Sequence, residues 1–147
     1  MKKYISRAPD ETKEIGARLG KLLVKGDVVA LYGELGAGKT VMVKGIAGAY
    51  GIDERDVVSA SFTIISEYNT SPPFVHADLY RVGKTEEFLE LGLWEYLGGE
   101  GVTVIEWAEK ADEGLPDSTI RVRLRLIDEN TREIQIEGID EKGRHNL

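Results

Sequence analysis

Asp27-Val28-Val29-Ala30-Leu31-Tyr32-Gly33-Glu34-Leu35-Gly36-Ala37-Gly38-Lys39-Thr40-Val41 is the stretch that decides how this chain folds. Asp27 to Tyr32 is an apolar, β-branched run and reads as a buried strand. Val41 to Tyr50 reads as a helix closed by Gly51. Between them, Gly33 to Thr40 satisfies G-x-x-x-x-G-K-[ST] at every fixed position, in the strand–loop–helix context that this pattern requires. Glycines let the backbone N–H groups turn inward around a phosphate, and the helix N-terminus adds a positive dipole. Gly33, Glu34, Leu35, Gly36, Ala37, Gly38, Lys39, Thr40 and Val41 are therefore expected to cradle a nucleoside triphosphate. Lys39 would reach the β- and γ-phosphates while the Thr40 hydroxyl ligates Mg²⁺.

The elements on either side extend this unit. Pro9-Asp10-Glu11 marks a helix start, and Ile15, Leu19, Leu22 and Leu23 follow with amphipathic spacing up to Gly26. Thr63 to Tyr68 and Phe74 to Tyr80 read as a hairpin around Asn69-Thr70-Ser71-Pro72-Pro73. Thr85 to Tyr96 has helical spacing, and Val102 to Trp107 is a buried strand with an acid near its end. Ser118 to Ile127 and Arg132 to Ile136 alternate as an antiparallel pair. The expected fold class is α/β, a phosphate-loop nucleotide-hydrolase-like mixed sheet flanked by helices, with antiparallel C-terminal strands. Residues 1–138 are expected to form a single domain and 139–147 a frayed, charged tail.

Composition narrows the class of partner. The chain has 147 residues, no cysteine and a net charge of −7. No stretch approaches the length of a membrane span, and Met1 to Arg7 is not followed by an apolar signal region. A cytoplasmic protein without membrane contact is expected. An acidic chain is also a poor unaided binder of nucleic-acid phosphates. The one dense basic stretch, Arg121-Val122-Arg123-Leu124-Arg125, places three arginines on one strand face; a solvated sheet face is favoured over a nucleic-acid patch, with a docking surface between them.

A triphosphate site also needs a carboxylate for the metal and a group that orients the attacking water. Glu106, at the end of Val102-Thr103-Val104-Ile105, is the candidate metal ligand. Asp78 could bind metal through water or position the nucleophile, or simply pair with Arg81. His76 shares its strand face and is given a minor part. Ser59, Ser61 and Thr63 form a hydroxyl-rich segment that either completes the Mg²⁺ shell, through Ser61, or is an ordinary turn. Glu109-Lys110-Ala111-Asp112 lacks the first residue of an Asn-Lys-x-Asp guanine reader, which makes ATP the expected nucleotide over GTP. Gly36-Ala37-Gly38-Lys39-Thr40-Val41 lacks the third glycine of a dinucleotide fingerprint, which disfavours NAD.

Gly33 to Thr40, Val58-Ser59-Ala60-Ser61-Phe62-Thr63, His76-Ala77-Asp78-Leu79-Tyr80-Arg81 and Glu106-Trp107 together closely resemble the TsaE family in order and spacing. The likeness runs from about Thr12 to Glu133. It implies a small bacterial ATPase required for threonylcarbamoyl modification of the tRNA adenosine beside the anticodon. It also implies association with TsaB and TsaD, weak hydrolysis alone that the partners raise, and tRNA contact only indirectly through the complex. Under the resemblance Lys39 and Thr40 match the triphosphate and Mg²⁺ contacts, Glu106 the second Mg²⁺ ligand and Asp78 the acid that positions water. Thr12 matches a threonine near the adenine, and Arg132 an arginine on the base side. The switch segment departs from the family's Ser-Pro-Thr pattern: Ala60 and Ser61 keep a hydroxyl but lose the restraint of proline. A small-molecule kinase and a nucleotide-gated binding module without required hydrolysis are the rival functions.

Overall fold

The computed structural model describes residues 1–57, 65–82 and 92–144. Among these, seven strands form one sheet in the order β1-β7-β6-β2-β5-β4-β3. They span Lys2–Ser6 (β1), Val28–Tyr32 (β2), Ile65–Tyr68 (β3), Phe74–Asp78 (β4), Val102–Glu106 (β5), Ile120–Leu126 (β6) and Arg132–Glu137 (β7), with helices Pro9–Leu22 (α1) and Lys39–Gly48 (α2). β6, β2, β5 and β4 run parallel, while β1, β7 and β3 add antiparallel edges. The fold is thus the expected mixed α/β sheet.

Strand parity sorts the core. Val29, Leu31, Phe74, Val104, Val122 and Ile134 point to the face covered by Ile15 and Leu19 of α1 and Met42, Val43 and Ile46 of α2. Val28, Ala30, Ala77 and Ile105 point the other way, under Leu93, Ala108 and Ala111 of short 3₁₀ segments and the following Leu115. His76, Asp78 and Glu106 share the parity of Phe74 and Val104, so all three emerge on the α1/α2 face. Register aligns the ends: Leu31 lies beside Glu106, and Glu106 beside Asp78.

α1 begins with Pro9 at its first turn and Asp10 and Glu11 at the positive end of the dipole. It packs on α2 through glycines that the apolar spacing did not reveal. A Cβ at Gly16 would sit 2.6 Å from the Met42 carbonyl oxygen, one at Gly20 2.7 Å from that of Ile46, and one at Gly45 would overlap the Lys13 carbonyl. The helix backbones are in contact here, leaving no room for a methyl group. Gly45→Ala is therefore expected to destabilise the fold by about 3 kcal/mol, the upper range for overpacking a close-packed site. Urea denaturation checks this, and an unchanged midpoint would show that the helices can separate freely.

Two further differences from expectation concern the chain ends. Lys2–Ser6 forms an edge strand on β7, pairing Lys2 with Ile136 and Ser6 with Arg132; its alternation was too short to stand out beside the neighbouring helix signal. The tail after Gly138 was expected to fray, yet Ile139 is buried and Arg144 binds the Asp27 carboxylate and the Leu22 carbonyl (3.2 Å). Asp27 is buried at the start of β2 and also lies 3.7 Å from Lys142. A buried carboxylate requires such counter-charges, and they hold the tail as far as Arg144. Residues 145–147 lie outside the described residues, as do 85–91 of the expected Thr85–Tyr96 helix; what is described of that helix includes a 3₁₀ turn, Leu93–Glu95.

Tyr50 presents a stability test. Its ring packs on Phe74 at 5.2 Å, but its buried Oη has no hydrogen-bond partner among the described residues. Burial, and secondarily the charge of Asp27, push its hydroxyl up to about 12 from the ordinary 10. The unfolded chain therefore ionises first, and this group's contribution to stability is lost as pH rises from 10 towards 12. Tyr50→Phe removes both penalties. We expect a gain of about 1 kcal/mol at neutral pH, seen as a Tm roughly 2–4 °C higher, and a shallower alkaline fall in Tm.

Candidate nucleotide site

The phosphate loop takes its shape from local backbone demands. Gly38 has φ +101°, in the left-handed region that favours glycine, and sits at the N-cap of α2. A Cβ at Gly33 would meet the Leu124 carbonyl oxygen at 2.7 Å, so β6 forms the wall against which the loop closes. The loop opens onto a cavity of about 640 Å³ whose lining includes Lys39, Thr40, Asp78, Glu106, Trp107 and Arg132. Leu35 at the loop tip is exposed, and Ala37 is buried beneath it.

Lys39 is buried and turns back into its own loop. Its ammonium donates to the carbonyls of Gly33 and Glu34 (2.9 Å to the latter) and lies 3.8 Å from the centroid of the Trp107 ring. Burial holds the ammonium below its ordinary range, while nearby Glu109, Glu106, Asp78 and Glu34 act in the opposite direction. Trp107 is half-buried, stacks with Tyr80 at 5.0 Å and has φ +58°. A tryptophan held in that region is strained, and such positions persist only where the surroundings dictate them.

A hydrogen-bonded line runs across the ends of β4 and β5 to the loop. The Thr40 hydroxyl donates to Glu106 Oε1 at 2.8 Å, and Glu106 Oε2 lies 2.6 Å from His76 Nε2. Glu106 and His76 are each 2% exposed. With Glu106 as a carboxylate, acceptor at both oxygens, the proton on the second bond belongs to His76 Nε2. His76 is thus a support for Glu106, a larger part than its sequence position suggested. Asp78 is buried next to Glu106, and its Oδ1 accepts the Tyr80 N–H at 3.0 Å.

The residues fit Mg²⁺ on their chemistry. Thr40 and Glu106 offer hard oxygen donors, and adjacent corners of an octahedron at 2.0–2.1 Å lie about 2.9 Å apart, close to the observed 2.8 Å. Among the described residues no group of three or more His, Cys, Asp or Glu could hold a metal.

Arg132 lines the larger cavity together with Thr40 and Glu106, while Thr12 stands apart from it. Both line a smaller cleft of about 110 Å³ that shares Gly38, Val41 and Arg132 with the loop region. The Arg132 guanidinium donates to the Glu129 carbonyl at 3.1 Å and to the Gly36 carbonyl at 3.2 Å, tying the β6–β7 turn to the loop. Nothing in the sequence pattern signalled that bridge, or the Leu124 wall. Ser61, with Ser59 and Thr63, lies outside the described residues. On the basic strand face Arg125 pairs with Glu133 at 3.2 Å and Arg123 lies 4.8 Å over the Tyr32 ring, and both arginines are exposed.

A parallel strand, a glycine-shaped loop, a helix N-terminus and a carboxylate from the neighbouring strand define a phosphate-loop α/β protein. The family model described as threonylcarbamoyl adenosine biosynthesis protein TsaE matches residues 6–134. The chain is 39% identical to the TsaE protein of Treponema pallidum, over 90% of this chain and 97% of that one. It is 42% identical to the Bacillus subtilis TsaE, over 86% of this chain and 78% of that one. The crystal structure of Bacillus subtilis YdiB superposes with a TM-score of 0.80 at 35% identity, covering 99% of this chain and 96% of that one. The chain belongs to the TsaE family. No helix among the described residues is long and apolar enough to cross a membrane.

Proposed function

We propose that this chain is a Mg²⁺-dependent ATP hydrolase that serves threonylcarbamoyladenosine formation on tRNA by acting on a TsaB–TsaD complex. The observation that carries the hydrolase reading is the 2.8 Å pairing of Thr40 with Glu106 at the mouth of the phosphate loop, supported by buried His76. Mg²⁺ bound there would neutralise charge on the β- and γ-phosphate oxygens. Lys39 would leave the Gly33 and Glu34 carbonyls for the phosphates, and Asp78 would hold the attacking water. Thr12 and Arg132 would flank the base. The biosynthetic role rests on the family, whose curated members in Treponema pallidum and Bacillus subtilis carry that name. Indirect tRNA contact agrees with the net charge of −7.

The test is ATP hydrolysis by the purified chain, alone and with TsaB plus TsaD from the same organism. Stimulation by the pair supports hydrolysis and partnership together; equal slow rates with and without the pair count against the partners. Asp78→Ala separates hydrolysis from gating by binding: loss of hydrolysis with tRNA modification retained would favour the gating module.

A further inference from the structure

We propose that Arg132 is a positioning residue for the phosphate loop: by bridging the β6–β7 turn and the loop tip, it keeps the tip ordered before a ligand arrives. The inference rests on the nucleotide reading above and gives Arg132 a task separate from any contact with the base. Packing does not fix the tip. Leu35 is 72% exposed, and a Cβ added at Gly36 would meet nothing within 4 Å.

Hydrogen bonds do that work instead. The Ala37 N–H donates to the Glu34 carbonyl at 3.0 Å, closing a turn in which Gly36 takes φ +84°. Lys39 Nζ donates to the same Glu34 carbonyl at 2.9 Å. The Gly36 carbonyl, on the opposite side of the planar peptide from the Ala37 N–H, accepts from Arg132 Nη2 at 3.2 Å. One rigid peptide thus connects Arg132 to the carbonyl that holds Lys39. The far end of the bridge is anchored. Arg132 begins β7, paired with Ser6 of β1 on one side and Leu126 of β6 on the other. Its Nη1 donates to the Glu129 carbonyl at 3.1 Å, inside the turn that the Thr131 N–H closes on the Asp128 carbonyl. A planar guanidinium offers a separate nitrogen to each carbonyl at a fixed angle, which a lysine ammonium on its flexible stem does not. A loop that is already ordered loses less conformational entropy when phosphates fill it, so the bridge should strengthen binding of any polyphosphate, with or without a base.

Two measurements on Arg132→Met, which keeps most of the stem and removes every donor, test the idea. In the ligand-free protein, hydrogen–deuterium exchange of residues 33–38 should be about tenfold faster, with β2, β6 and α1 exchanging as in the wild type. Calorimetric titration in Mg²⁺ should show inorganic tripolyphosphate, which has no base, and ATP each bound about tenfold more weakly, the equivalent of one backbone residue left to be ordered. Arg132→Lys keeps the charge without the fork; it should exchange nearly as fast, and it carries the test if Arg132→Met does not fold. A loss of affinity confined to ATP would make Arg132 a base contact only. Weaker binding of both ligands with loop exchange unchanged would make it a direct phosphate contact. Either result overturns the proposal, as does faster loop exchange with both affinities intact. If the wild type binds neither ligand, the nucleotide reading itself fails and takes this proposal with it.

Discussion

Lys39→Ala is expected to lower ATP hydrolysis at least about a hundredfold, with and without partner proteins. Removing one preorganised positive donor from a site of developing charge typically costs that much. Lys39 is suited to the role because it is already buried at the loop and held by weak, replaceable partners: two backbone carbonyls and the face of Trp107. Triphosphate oxygens offer anionic partners in their place, adding attraction between opposite charges to bonds whose donor is already ionised. The ordered ammonium thus needs only a rearrangement within the loop. Phosphate release under saturating ATP measures the effect. A rate within threefold of the wild type would mean that Lys39 serves only to close the loop on itself, and the hydrolase reading would fail with it.

Glu106→Gln should raise the Mg²⁺ concentration needed for half-maximal hydrolysis by about a hundredfold, the upper end of what metal sites lose when a supporting group is removed. The amide has nearly the shape of the carboxylate and can still accept from His76 Nε2, so the buried contact with β4 survives. What disappears is the negative charge and one hard oxygen beside Thr40. The loss should therefore appear in the Mg²⁺ titration and leave the melting temperature of the ligand-free protein within a few degrees. If the Mg²⁺ titration were unchanged, Glu106 would be a strand-end acid satisfied by Thr40 and His76 and nothing more. His76 should act in the same direction at smaller scale, since it holds one carboxylate oxygen and leaves the other to Thr40.

The two substitutions probe parts of the site that were unequally visible. Lys39 and Thr40 stand at fixed offsets from Gly33 and Gly38, and a loop of that length between a strand and a helix has few ways to fold; local chain geometry makes such a motif readable. Glu106 was readable because an acid after four apolar or β-branched residues must emerge where a buried strand ends. Asp78 was readable as a candidate, but its adjacency to Glu106 depends on β4 pairing with β5 in one register. The buried His76–Glu106 pair follows from that same register and was invisible beforehand.

The sequence by itself determined the phosphate loop, the alternation of helix and strand around it and the family to which the chain belongs, because these depend on neighbours within one or two turns of chain. Tertiary structure alone decided the rest. Arg132 reaches Gly36 across 96 positions, Arg144 reaches Asp27 across 117, and the Gly45 backbone lies against that of Lys13. Ser6 meets Thr12 across only six positions, yet the bond exists because β1 pairs with β7 and places Ser6 beneath the first turn of α1. Such contacts depend on how separate elements stack and in which register. That is a cooperative choice of the whole core, and no periodicity within a single element encodes it.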